Sequence, residues 1–135
     1  MSDVLAISNL KVYFDLPDGM LRAVDGVSFR VPQGKTVALV GESGSGKSVV
    51  SQAIMGILPK VAHIAEGSIK FCDPSTGGPL IDICKLPPDS KDMQDLRGGR
   101  ISIIFQEPMT SLSPLHTIGN QITEAFHLHR VANRQ

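Results

Sequence analysis

No stretch of the 135-residue sequence approaches the roughly 18 apolar residues that a membrane-crossing helix needs. The first twenty residues, MSDVLAISNLKVYFDLPDGM, lack the basic start and apolar block of a secretory signal. The expectation is a cytosolic chain. Net charge is absent too: 13 Lys plus Arg balance 13 Asp plus Glu, so no global field draws the chain to nucleic acid or to an anionic membrane. Any partner must be recognised locally. Cysteine is scarce, and Cys72 and Cys84 fit neither a CxxC pair nor a zinc-ligand spacing, which reads as two reduced thiols. There is no internal repeat and no low-complexity tract. A chain of this length buries one core, not two independent ones.

What is present reads as alternating strands, turns and helices. LAISNLKVYF and AVDGVSFRV carry β-branched and aromatic residues around the turn-forming DLPDG, which predicts an antiparallel strand pair. VPQGK then makes a turn, and TVALV predicts a short strand covered on both faces. From Lys47, residues Val49, Val50, Ala53, Ile54 and Ile57 recur at helical spacings until Leu58-Pro59, where proline opposes continuation. Residues 67–99 mix a strand-like GSIKF with DPSTGGP, LPPDS and LRGG and read as loop-rich, with few regular elements. ISIIF predicts a second buried strand, EPMTSLSPLHT a proline-punctuated connector, and IGNQITEAFHLHRVANRQ the start of an amphipathic helix.

Between TVALV and that first helix lies GESGSGKSVV, residues Gly41 to Val50. Gly41, Gly44, Gly46, Lys47 and Ser48 satisfy G-x-x-x-x-G-K-[ST] in the strand-then-helix setting that this phosphate loop requires. Glycines let the backbone turn its N–H groups inward at a helix N-terminus, where the dipole also favours negative charge. Residues Ser43, Gly44, Ser45, Gly46, Lys47, Ser48 and Val49 are then the candidate cradle, with Gly41 opening it. Lys47 would reach the β- and γ-phosphates, and Ser48 would offer a hard oxygen to Mg²⁺. A stand-alone kinase or GTPase shares this loop, but no NKxD guanine motif is present. Gln106, at the end of ISIIF, is a neutral side chain able to offer its carbonyl to Mg²⁺ or a water.

Together AVDGVSF, GESGSGKSVV, LRGGRISIIFQEPMTSLSP and TIGNQI resemble the ATP-binding subunit of an ABC transporter, in the oligopeptide and dipeptide importer branch. The resemblance implies an α/β fold: a partial P-loop NTPase domain with an N-terminal antiparallel β subdomain beside a truncated RecA-like core, spanning residues 1–135. It implies ATP and Mg²⁺ as cofactors, with Lys47 and Gln106 as catalytic residues and Ser48 and Gln106 on the metal. It also implies an aromatic residue stacked on adenine. Phe14, four residues after Leu10, is the preferred candidate, and Tyr13 the alternative on the opposite side of the strand. The segment after Gln106 would meet membrane-spanning permease subunits. A second ATPase subunit, identical or different, would complete the site across a head-to-tail dimer, on the cytoplasmic face of the cell membrane.

The family's ATPase also uses residues that have no counterpart here. The sequence has no LSGGQ-like signature, no apolar strand ending in Asp-Glu after Gln106, and no later switch histidine, since His127 and His129 fall too early. The expectation is an N-terminal fragment that binds nucleotide but hardly accelerates its hydrolysis, because phosphoryl transfer depends on positioned charge. Full-length, it would couple ATP binding and hydrolysis to solute uptake. The alternative is an inactive nucleotide-binding or interaction remnant. Either way, the parallel sheet would be left with an unpaired edge.

Overall fold

The computed structural model describes residues 3–42, 46–75, 77, 79–105, 115 and 117–128, with side chains 123 and 125–128 left aside. Two long strands, β1 (Asp3–Leu16) and β2 (Gly19–Pro32), form the antiparallel pair expected around DLPDG, with Leu16 opposite Gly19 across a two-residue turn. β3 (Ala62–Phe71) lies on the other side of β1, and the short β4 (Ile81–Asp82) pairs with β3. The sheet order is β2-β1-β3-β4, antiparallel throughout.

A bulge crosses the three long strands at one level. The register shifts between Ile7 and Leu10 against β2, and between Ser8 and Lys11 against β3, with Asn9 at φ 47°. Ile7 and Leu10 are three residues apart, so strict alternation would send one of them outward. The extra residue turns both into the core, where they are 2% and 0% exposed. Gly67 faces this bulge from β3 with φ 101°.

Two helices cover the core face of the sheet. From α1 (Lys47–Met55) come Val50 and Ala53, and from α2 (Lys91–Gly99) Met93 and Leu96; they pack with Ile7, Leu10, Val12, Val24, Ile69 and Phe71. α1 stops at Met55, earlier than the Leu58-Pro59 boundary expected. Gly56 turns left-handed at φ 69°, its N–H reaching the Ala53 carbonyl at 3.2 Å while the Ile57 N–H reaches Gln52 at 3.0 Å. Ile57 therefore lies outside the helix, 37% exposed.

α2 was not legible in the segment expected to be loop-rich. It carries only two buried apolar residues and ends in Gly98-Gly99, so local propensity argues against it, and burial of Met93 and Leu96 one turn apart is what holds it. Ser90 caps its start, accepting from the Met93 N–H at 3.3 Å. Ser90→Ala is expected to cost about 1 kcal/mol of stability, measured by urea unfolding with an unchanged slope. A short 3₁₀ turn, Ile83–Lys85, sits under the Asp82 side chain, which accepts from the Cys84 N–H at 3.1 Å.

The two expected buried strands, TVALV and ISIIF, are not strands among the described residues. Residues 35–42 and 101–105 join no sheet, and Val40 and Ile104 are 89% and 92% exposed. A strand of a parallel sheet takes its hydrogen bonds from neighbouring strands and its apolar cover from both faces. The described residues contain only the antiparallel sheet, which neither segment joins. α3 (Ile118–Leu128) begins where the amphipathic pattern placed it, and the Thr117 hydroxyl caps it by accepting from the Asn120 N–H at 3.1 Å. No described helix is long and apolar enough to cross a membrane.

Candidate functional site

The chain leaves β2 through a turn closed by the Lys35 N–H on the Pro32 carbonyl at 3.2 Å, and reaches α1 by way of residues 36–46. Gly46 stands at the mouth of α1 with φ 94°, and a β-carbon there would come within 2.6 Å of the Ala23 carbonyl oxygen. Only glycine combines that dihedral with that approach, so the end of the loop is pressed against β2. This contact builds one wall of a cleft of about 190 Å³ between Ala23, Val24 and Asp25 on one side and Gly41, Gly46 and Lys47 on the other.

The first turn of α1 has no side-chain cap and no acidic residue. Its leading N–H groups and positive dipole end therefore face outward without a carboxylate of their own, the arrangement that receives an anion. The Val50 N–H is already used, on the Gly46 carbonyl at 3.1 Å. Lys47 folds back over the loop, its Nζ donating to the carbonyls of Gly41 and of Glu42, the latter at 3.1 Å. The ammonium thus sits over the loop and satisfies carbonyls that an incoming phosphate would displace. Ser48 is exposed beside it, with a hydroxyl free of the core, whereas the Val49 side chain packs against the core. Val49 has only its backbone N–H to offer a ligand. Ser43, Gly44, Ser45 and Gln106 lie outside the described residues.

Tyr13 and Phe14 point to opposite faces of β1, as neighbours on a strand must. Phe14 is half-buried and packs against the core, opposite Leu21 on β2 and Ala62 on β3. Tyr13 faces out. Its hydroxyl donates to Asp25 at 3.3 Å, the Arg22 guanidinium lies 5.6 Å from its ring centroid, and His63 meets it edge-on at 6.2 Å. Among the described residues neither ring lines the phosphate-loop cleft, though Asp25 joins Tyr13 to its rim. The contribution of Ala23, Val24 and Asp25 escaped the sequence reading, because only the fold brings β2 against a loop some twenty residues later.

At the other end of α1 a larger apolar cavity, about 500 Å³, opens between Gly56, Leu58, Ile64, Cys84 and Met93 and contains none of the motif residues. Neither cysteine forms a disulfide, and burial together with the Asp82 carboxylate pushes the Cys84 thiol up from its ordinary range. Among the described residues no group of His, Cys, Asp and Glu is arranged to hold a metal.

Gly46 pressed on β2, the uncapped first turn of α1 and Lys47 beside it are the described part of the phosphate-loop motif read in the sequence. The family model described as ABC transporter matches residues 24–134, and the chain belongs to that family. Its α/β P-loop fold is present here as the antiparallel subdomain and the phosphate-loop helix. The chain is similar to the dipeptide transport ATP-binding protein DppD of Bacillus subtilis, at 44% identity over the whole of this chain and 38% of that protein. It is 48% identical to the oligopeptide transport ATP-binding protein AppD of Bacillus subtilis, over 96% of this chain and 37% of that protein. The oligopeptide transport ATP-binding protein AmiE of Streptococcus pneumoniae is 42% identical over 94% of this chain and 34% of its own length. The chain thus spans little more than a third of these relatives.

Proposed function

We propose that this chain is the ATP-binding portion of the ATPase subunit of an importer for oligopeptides or dipeptides. One observation carries the reading: the uncapped amides of α1 meet the Gly46 cradle and Lys47 in a single cleft. Gly41, Gly44 and Gly46 shape the loop, and the N–H groups from Ser43 to Val49 bind phosphate oxygens. Lys47 neutralises the β- and γ-phosphates. Ser48 is the hard oxygen donor for Mg²⁺, with Gln106 as its companion on the metal and in catalysis. When bound, Mg²⁺ draws charge from the phosphates. For these 135 residues by themselves the activity is nucleotide binding; hydrolysis coupled to solute uptake belongs to the whole subunit.

The names of the relatives support peptide transport, and the family supports ATP as the nucleotide. The partners follow from the same reading. The segment after Gln106 meets membrane-spanning permease subunits, and a second ATPase subunit faces the phosphate loop. The protein works at the cytoplasmic face of the cell membrane. Calorimetric titration with ATP and Mg²⁺ is the direct test: saturable binding to one site is expected, and its absence would remove the assignment.

Adenine stacks on Phe14 in this reading. Phe14→Ala is expected to weaken ATP binding by roughly 1 to 3 kcal/mol, the range for loss of an aromatic–base stack. Tyr13→Ala, whose ring is already engaged by Arg22, His63 and Asp25, should leave affinity nearly unchanged and act mainly on stability. Because Phe14 also packs against the core, dissociation constants must be read well below each variant's melting point. The reverse ranking would transfer the role to Tyr13.

A further inference from the structure

We propose that Arg97 is a positioning residue that couples the phosphate-loop helix to residues 100–105, the segment leading into Gln106; the inference rests on the nucleotide-binding reading above. Carbonyls from two separate segments converge on its guanidinium. Nη1 donates to Met55 at 3.2 Å and to Gly56 at 3.3 Å, at the C-terminal end of α1, and Nη2 donates to Pro88 at 2.8 Å, just ahead of α2. α1 has no basic residue in its own last turn. The cation that complements its terminal carbonyls and the negative end of its dipole is therefore supplied by another helix. The fit is close: a β-carbon on Gly56 would lie 3.2 Å from Arg97 Nη1 and 3.1 Å from Met93 Cε.

The two helices joined in this way end in different places. α1 begins with the amides that receive phosphate. α2 runs directly into residues 100–105, since the N–H groups of Arg100 and Ile101 both reach the Leu96 carbonyl, at 3.1 and 2.9 Å. Arg100 is further tied to Asp73 at 3.5 Å, and Ile101 packs against the shared core. Apolar contacts such as those of Met93 tolerate sliding, because a flexible thioether side chain adapts to its neighbours. A planar guanidinium holding carbonyls on both sides does not, since its donors are fixed in one fork. Arg97 is thus the rigid link through which a movement of α1, when its N-terminus is filled, reaches residues 100–105.

Amide hydrogen exchange of the full chain, with and without ATP and Mg²⁺, tests this. In the wild type, saturating ATP should slow exchange roughly tenfold or more both at the start of α1 and across residues 101–105. Arg97→Ala and Arg97→Lys should still bind ATP with near wild-type affinity and protect α1, yet lose most of the slowing at 101–105. Met93→Leu, which alters packing and leaves the guanidinium in place, should behave as the wild type. A merely structural arginine would lower stability without separating the two regions. Retention of the 101–105 effect in the Arg97 variants, or its absence from wild type that protects α1, would overturn the proposal. Arg97→Lys decides the matter where Arg97→Ala does not fold. Wild type that shows no ATP effect anywhere would overturn the nucleotide reading, and this inference with it.

Discussion

Lys47→Ala is expected to abolish ATP binding while leaving the ligand-free protein about as stable as before. The two parts of this expectation have separate grounds. Among the described residues the Lys47 ammonium bonds to the carbonyls of Gly41 and Glu42, in an exposed setting where water can replace it. No buried charge is stranded by its removal, so the fold loses little. With nucleotide bound, the same ammonium would lie among phosphate oxygens, where charge-assisted hydrogen bonds are about twice as strong as neutral ones. A thermal-shift titration reads both parts. ATP at about 100 times its dissociation constant should stabilise the wild type by roughly 2.7 kcal/mol, and Lys47→Ala should show almost none of that gain. Equal shifts in the two proteins would remove Lys47 from the phosphate site.

Gly67→Ala should be the most damaging change of a single methyl group. Gly67 occupies φ 101°, and its β-carbon would fall 2.5 Å from the Asn9 carbonyl oxygen and 2.7 Å from the Leu10 Cα. Both obstacles are backbone atoms of the central strand, at the bulge that turns Leu10 inward, so neither can swing aside as a side chain would. Backbone strain and forced separation of β1 from β3 together should cost about 3 kcal/mol or more, read as a lowered unfolding midpoint. Gly19→Ala supplies the comparison, because Gly19 also has positive φ, 135°, but a β-carbon there would meet nothing within 4 Å. It should show the dihedral penalty alone. Similar losses at the two sites would mean that β1 and β3 separate at the bulge without cost.

Legibility followed the range of the interactions involved. The hairpin could be read because its turn and its alternating strands are adjacent in sequence, and the phosphate-loop motif because its glycines, lysine and serine lie close together along the chain. α1 was placed correctly at its start, where the motif sits, and too far at its end, where Gly56 stops it before the proline. Helix α2 was missed for the opposite reason: its stability comes from Met93 and Leu96 meeting a core assembled from distant strands. TVALV and ISIIF have the composition of buried strands, but composition supplies no partner, and a strand exists only where a neighbour accepts its hydrogen bonds.

The sequence by itself determined the local chemistry at the start of α1: a glycine able to take the left-handed dihedral there, a lysine directly after it, and a helix whose dipole favours an anion at that point. These depend on residues within a few positions of one another, and dihedral preference and hydrogen-bond geometry suffice to specify them. The tertiary structure alone decided what surrounds that chemistry. It pressed Gly46 onto Ala23, set Phe14 toward the core and Tyr13 toward Arg22 and His63, and placed Arg97 on the carbonyls of Met55 and Gly56. Arg22 meets Tyr13 across the hairpin and His63 meets it across β1 and β3, whereas the Gly46 and Arg97 contacts join distant parts of the chain and arise only when the sheet and its two helices close on one another.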